Sequence, residues 1–406
     1  MSDVQFVIEL GKALHALGSP SFRVEDAMAA CARHLGLHGS FFSVPTGIFI
    51  ELHRGDGTPP QSRLIRVQPG SQDLGRLALV YRIRDEVTQG RIQPQQGLVR
   101  LQEVMTAPAA MPGWLELPAR AAASAAAVVF LGGGLMEVAG AAAIGLLLGL
   151  CALLVRPGSA LDRTFEPLAC LLASVLAHVG AREIVSMDAP MVMLAAIIVL
   201  LPGYTFTTAL GELAMRHLAS GSARLLGALG TLLNMAVCAA IGSALVGYAL
   251  GDAPAAEAPV ALPGWAPLAA VPCVALASAV LLRAKWNQLF WVAVAVACAW
   301  FGLQLGNATV GPELAAFTGA MGVTIVGNLY ARWRRRPSAV VRTPGLLLLV
   351  PGSLGFRGIA SAIHEGTGGS MGSLGGLMLM VGGSIVAGIL IATLLVPLPR
   401  DVEPES

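Results

Sequence analysis

The chain has 406 residues, of which 55% are apolar and only 12% charged, with a formal net charge of +2 and a mean hydropathy of +0.71. Soluble proteins carry about 25% charged residues, so the composition excludes an ordinary water-soluble fold and calls for lipid. The arginines are scattered rather than striped, so nothing points to a nucleic-acid partner and none is expected, and Cys31, Cys151, Cys170, Cys238, Cys273 and Cys298 show neither CxxC nor Cys/His spacing, which argues against disulfides and a zinc site, and no metal or cofactor is expected.

Charge is unevenly placed: 23 of the 50 formal charges precede residue 121. This divides the chain into a soluble head over 1–107, a linker over 108–117 with Pro108 and Pro112, and a membrane body. Asp3, Glu9 and Lys12 interrupt the first 20 residues, so no secretory signal is read there and the head is expected in the cytoplasm. Apolar spacing predicts helices over 4–17 and 22–36, then strands over 40–53 and 63–67, then helices near 73–90 and 94–106, a small α+β domain. Within it Arg23-Val24-Glu25-Asp26 and Pro45-Thr46-Gly47 stand out as a charged helix start and a break between strands. They could form a pocket; the ordinary alternative is compensation of the helix dipole by Glu25 and Asp26, plus a turn.

Crossing a core about 30 Å thick takes about 20 helical residues. Runs of that kind lie at 118–136, 138–155, 165–183, 189–213, 225–250, 265–283, 286–305, 308–331, 343–364 and 372–397, and 398–406 forms a tail. With the head inside, the loops on its side hold Arg156, Arg163, Arg216, Arg224, Arg283, Lys285, Arg332, Arg334, Arg335, Arg336, Arg342 and Arg400. The opposite loops hold only Arg182, while the longest of them, 251–264, carries Asp252 and Glu257 and ends at the interfacial Trp265. This asymmetry is the positive-inside pattern for ten spans with both termini in the cytoplasm.

Pro202-Gly203 and Pro351-Gly352 interrupt the fourth and ninth spans. Proline removes a backbone donor and clashes with the turn before it, so each pair should break its helix in mid-bilayer. Irregular backbone at that depth is tolerated where it is buried in protein or lines a cavity. The two breaks occupy matching places in two five-span halves, 118–250 and 265–397, and because five is odd the halves are inverted in the membrane. The expected fold is therefore an α-helical polytopic membrane protein, ten transmembrane helices as two inverted five-helix repeats behind a small α+β head, with a solute site near the breaks. Two ordinary proline kinks are the plainer alternative.

Arg357 is the one charge read as deep in a span, six residues beyond Pro351. An arginine there needs a partner, either a solute carboxylate or a protein carboxylate such as Glu212 or Glu365. Tyr204, Thr205, Thr207, Thr208, Ser353, Asn234 and Asn328 could bind a hydroxyl or an ammonium, although threonines often bond their own helix and a buried Asn often joins two helices. Glu166, His178, Asp188, Glu212 and Glu365 are candidates to carry a coupling proton, with Glu212 ranked first. No Walker, GxSxG or HExxH motif is present, so an ATP-driven pump and the familiar hydrolases are not supported.

The Arg23–Asp26 and Pro45–Gly47 signatures, followed in order by Pro202-Gly203 and Pro351-Gly352, resemble the threonine/serine exporters over nearly the whole chain. The resemblance implies a cytoplasmic domain before ten spans, in a fused form of a related two-chain bacterial version. It implies export of L-threonine and L-serine across the bacterial inner membrane using the protonmotive force, whereas the split version is linked with succinate export. The expected partners are thus a small amino acid and the bilayer, with a homo-oligomer left open. A membrane-anchored hydrolase with a catalytic head is the alternative of another class.

Overall fold

The computed structural model describes residues 2–54, 60–68, 70, 72–108, 111–156, 158–251, 260–312, 314–365 and 368–398, with the backbone alone at 364, 365 and 368–374. Asp252, Glu257, Arg400 and the Glu365 side chain lie outside the described residues.

The head begins with α1 (Ser2–Ala16) and α2 (Ser21–His34), whose spaced apolar positions Val7, Leu10 and Leu14, then Val24, Met28 and Cys31, are all buried. Strands β1 (His38–Val44), β2 (Gly47–His53) and β3 (Gln61–Arg66) form an antiparallel sheet in that order. Val44 pairs with Gly47, so Pro45-Thr46 is a two-residue connection. In β2, Ile48, Ile50 and Leu52 point inward while Phe49 and Glu51 face out, the period-two alternation of a sheet with one covered face. Helices α3 (Leu74–Thr88) and α4 (Pro94–Thr106) complete this part.

The body contains α5 (Glu116–Leu131), α6 (Leu135–Leu154), the short α7 (Ala160–Arg163), α8 (Phe165–Glu183), α9 (Ala189–Ala196), α10 (Gly203–Ala214) and α11 (Leu218–Leu250). These are followed by α12 (Ala266–Leu281), α13 (Leu289–Thr309), α14 (Ala315–Arg334), α15 (Ala339–Leu349), α16 (Gly352–Glu365) and α17 (Gly368–Leu395). The hairpin of α5 and α6 turns at Gly132, whose φ of 82° suits a residue without a β-carbon.

Among the described residues, seven segments are long and apolar enough to cross a membrane: 113–131, 135–154, 165–183, 218–250, 286–309, 339–363 and 375–395. The other three expected spans differ for separate reasons. Residues 266–281 form an apolar helix of only 16 residues, α14 ends in the polar Arg332-Trp333-Arg334 run, and 189–213 is split into α9 and α10.

Boundaries shift as well. No proline lies between 218 and 224, and α11 runs through Ser220-Gly221 to start at Leu218, seven residues before the expected 225, so that it includes Arg224 rather than leaving it in a loop. Its 33 residues reach about 50 Å at 1.5 Å per residue, well beyond a bilayer core. Likewise α13 continues to Thr309, and Gly311, with φ 93°, delays α14 to Ala315 rather than 308.

The two interruptions are unequal. The first leaves 197–202 outside any helix, whereas the second takes only Val350 and Pro351. They nevertheless meet. A β-carbon placed on Gly203 would stand 3.1 Å from the Gly352 nitrogen and 3.2 Å from its Cα, and would strike Val350. Only glycine at both positions lets the two breaks touch backbone to backbone.

The head is built onto the body through helix ends. Pro20 offers α2 no side-chain cap, and the orphan N–H of Ser21 donates instead to Glu212 Oε1 of α10 at 2.8 Å. At α3, Leu74 N–H donates to the Leu282 carbonyl just past α12 at 2.9 Å. Orphan donors of the head thus meet acceptors of the body at two separate places. The apolar core is continuous too, since Val271, Ala275, Val292 and Val296 of α12 and α13 pack in one cluster with Phe6, Leu10 and Leu74 of the head.

Candidate functional site

A cavity of ≈ 430 Å³ opens in the body between α8, α9, α11 and α16, beside the end of α5. Its polar lining is Ser174, His178, Asp188, Ser243, Arg357 and Ser361. Each is held by its element. His178 Nδ1 lies 2.8 Å from the Ser174 carbonyl, which can only accept, so Nδ1 is the donor of this bond and Nε2 is left without a part in it. Ser174 Oγ donates to the Ala239 carbonyl at 2.7 Å and ties α8 to α11.

Asp188 caps α9, accepting the Met191 N–H at 3.0 Å, the role expected of aspartate at a helix start. Arg357 follows the fully buried Phe356 on α16 and is exposed on the cavity wall. Among the described residues, no carboxylate pairs with it. The expected protein partner Glu212 is committed elsewhere, to Arg224 at 3.1 Å. The cavity therefore presents a cation from α16 and a carboxylate from the start of α9, together with an imidazole and hydroxyls in its lining, in a volume within the range of small-ligand sites.

The other sequence candidates stand apart from this cavity. Pro202 and Gly203, with Pro351 and Gly352, form the crossing of the two breaks, where Tyr204 Oη lies 3.4 Å from Thr343 Oγ1 and links α10 to α15. Thr205, Thr208 and Ser353 are half-buried outside the cavity lining, and Thr207 is buried. Asn234 is exposed on α11, because its helical position faces away from the buried Leu232 and Met235 stripe. Asn328 is buried but donates from Nδ2 to the Val396 carbonyl at 2.7 Å, a tie between α14 and the end of α17. Glu166 sits half-buried in the first turn of α8.

Glu212 is wholly buried where head meets body. Its carboxylate accepts Ser21 N–H at 2.8 Å, Ser220 Oγ–H at 2.7 Å and Arg224 Nε–H at 3.1 Å. The Arg23–Asp26 segment reaches the same junction. Glu25 accepts Ser43 N–H at 2.7 Å and faces His217 at 3.6 Å, so it does more than compensate a helix dipole. Burial pushes the Glu25 carboxyl above its ordinary range, against the pull of the Ser43 N–H and His217. Arg23 lies over the Phe22 ring, Asp26 is half-buried, and Pro45, Thr46 and Gly47 make the β1–β2 turn, with the Thr46 carbonyl accepting from Val67. Beside them His15 bonds the Val44 carbonyl at 3.1 Å, and burial lowers its pKa.

Glu137 falls between the first two expected spans, 118–136 and 138–155. It is buried, accepting Gly134 N–H at 2.9 Å and Asp188 N–H at 3.2 Å, and so fixes the loop that delivers Asp188 to the cavity. A Gly-x-x-Glu spacing at a helix start is the signal that could have found it. Glu137→Ala leaves both N–H groups unsatisfied and is expected to cost about 1–3 kcal/mol, readable as a lowered thermal midpoint of the purified chain. An unchanged midpoint would remove the supporting role assigned to it.

A family model described as "Putative threonine/serine exporter" matches residues 5–246, more than half of the chain. The chain belongs to the threonine/serine exporter family. A second model, described as "Threonine/Serine exporter, ThrE", matches residues 268–395, so the two together cover the head and most of the body.

Among curated proteins, the chain is similar to Pheromone-regulated membrane protein 10 of Kluyveromyces lactis, at 25% identity covering 97% of this chain and 43% of that protein. Uncharacterized protein C16A10.01 of Schizosaccharomyces pombe is 25% identical over 88% of this chain and 44% of that protein. Pheromone-regulated membrane protein 10 of Saccharomyces cerevisiae is 24% identical over 86% and 46%. The exporter-family chain thus spans less than half the length of these fungal relatives. No solved structure matches it.

Proposed function

We propose that this chain is a secondary transporter that exports small amino acids, L-threonine and L-serine in the first place, through the cavity lined by Arg357, Asp188 and His178. The observation that carries the reading is that cavity: its arginine has no protein carboxylate among the described residues, and a carboxylate stands on another wall. A zwitterion meets both, with its carboxylate at Arg357 and its ammonium at Asp188. A dicarboxylate such as succinate would set its second charge against Asp188, which favours the amino acid.

In the same proposal the body is ten spans in two inverted halves, crossing at Gly203 and Gly352, and rocking of the halves alternates access. The head lies in the cytoplasm of a bacterial inner membrane and regulates that motion; the arginine-rich loops on the head side support this orientation. A proton drives export. His178 lines the cavity and spends only Nδ1 on its own helix, and we assign it the proton in preference to Glu166 and to Glu212, which is held by the head.

The test is efflux of labelled threonine, serine and succinate from preloaded cells expressing the chain, with and without collapse of the protonmotive force. Amino-acid efflux that stops on collapse is the expected result. Succinate efflux alone moves the assignment to dicarboxylates, and no efflux of any of the three overturns it.

A further inference from the structure

A second constellation, unused by the transport reading, lies on the head side of the body. Lys285 precedes the short turn Trp286–Gln288 that opens α13. The Trp291 ring stands 5.4 Å from Tyr330 and 6.1 Å from Trp333, centroid to centroid, which fastens the start of α13 to the end of α14. That contact brings Lys285 toward the Arg334-Arg335-Arg336 run. Its ammonium feels the charges of Arg336 and of Arg82 on α3. The nearby carboxylate, Asp73, is already engaged by the Arg76 N–H at 2.8 Å and the Arg76 side chain at 3.6 Å.

Among the described residues, no carboxylate forms an ion pair with Lys285, Arg334, Arg335 or Arg336. Like charges gathered this way repel, and the arrangement is favourable once an anion joins it. Beside Lys285 is a pocket of ≈ 350 Å³ lined by Met111, Ala284, Lys285, Trp286 and Asn287. Trp286 and Trp333 are 65% and 78% exposed, as indoles are where they sit at the boundary of lipid and water. The lining brings an ammonium, a side-chain amide and an indole together, and the Arg336 charge acts on the same Lys285, which are the groups that suit a phosphate carrying an apolar tail.

We propose that the pocket at Lys285–Asn287, with Arg336 beside it, binds the headgroup phosphate of an anionic phospholipid from the leaflet on the head side, with Trp286 and Trp333 against its glycerol and upper acyl region. Met111 belongs to the linker and Arg82 to the head, so the lipid sits where head and body join and neutralises the charge that opposes their contact. Anionic lipid is thereby a structural partner of the docked head.

The experiment uses the purified full chain in neutral detergent, with phosphatidylglycerol, phosphatidylcholine of the same acyl chains, or inorganic phosphate added. Retained lipid is read by native mass spectrometry and the thermal midpoint by fluorescence. Phosphatidylglycerol is expected to be retained and to raise the midpoint by several degrees, while the other two do neither. The double variant Lys285→Ala with Arg336→Ala should lose at least tenfold in phosphatidylglycerol affinity. Lys285→Arg with Arg336→Lys should keep it, as should Arg156→Ala, an exposed arginine just past α6. Equal effects of the two lipids, a full shift from inorganic phosphate alone, or wild-type lipid binding by the double alanine variant would each overturn the proposal.

Discussion

Glu212→Ala is expected to loosen the head from the body and to lower stability by about 3–5 kcal/mol, the usual cost of removing one partner from a buried ion pair. Three donors lose their acceptor at once: Ser21 N–H, the Ser220 hydroxyl and Arg224. Arg224 is the largest part of the effect, because its side chain is only 12% exposed beside a fully buried partner and its charge would be stranded. Glu212→Gln keeps an oxygen for Ser21 and should cost less. The measurement is thermal unfolding of the full chain, paired with limited proteolysis at the 108–117 linker. Faster cleavage of the alanine variant is the expected result, and a wild-type midpoint with wild-type cleavage would show that the junction is held by its apolar core instead. Adding Arg224→Ala to Glu212→Ala should recover part of the loss, since the stranded charge is then gone.

Under the proposed transport role, Arg357→Ala should reduce amino-acid efflux by about 10- to 150-fold, the equivalent of the 1.5–3 kcal/mol that a charged hydrogen bond contributes. Arg357→Lys should fall between, because the ammonium lacks the planar fork that matches a carboxylate. Asp188 allows a sharper test, since it both caps α9 and lines the cavity. Asn caps about as well as Asp, so Asp188→Asn should leave the thermal midpoint nearly unchanged while abolishing recognition of the ammonium. Asp188→Ala should lose about 1 kcal/mol of stability as well. Efflux by Asp188→Asn at the wild-type rate, at equal protein level, would take the ammonium away from this carboxylate.

Much was determined by sequence alone, through patterns that are local. The helices of the head and the strand alternation at Ile48, Ile50 and Leu52 follow from spacing that a single element imposes on itself. The same holds for the apolar segments, since length and composition decide what can cross lipid, and for the two Pro-Gly interruptions, since proline removes a donor wherever it stands. Arg357 and His178 were singled out because charged and titratable groups are expensive in apolar runs.

Only the tertiary structure decided which of these residues share a site. Arg357 on α16 is far in sequence from His178 on α8 and from Asp188 at the start of α9, and no local rule ranks them above Asn234, which faces outward, or Asn328, which ties two helices. It also separated the breaks from the cavity: Gly203 and Gly352 pack on each other, while the open space lies beside α16. The role of Glu212 was illegible for the same reason. A lone carboxylate in an apolar run reads as a proton carrier until the fold brings the uncapped start of α2 to it, and then the unmet Ser21 N–H and the Arg224 charge define what it does.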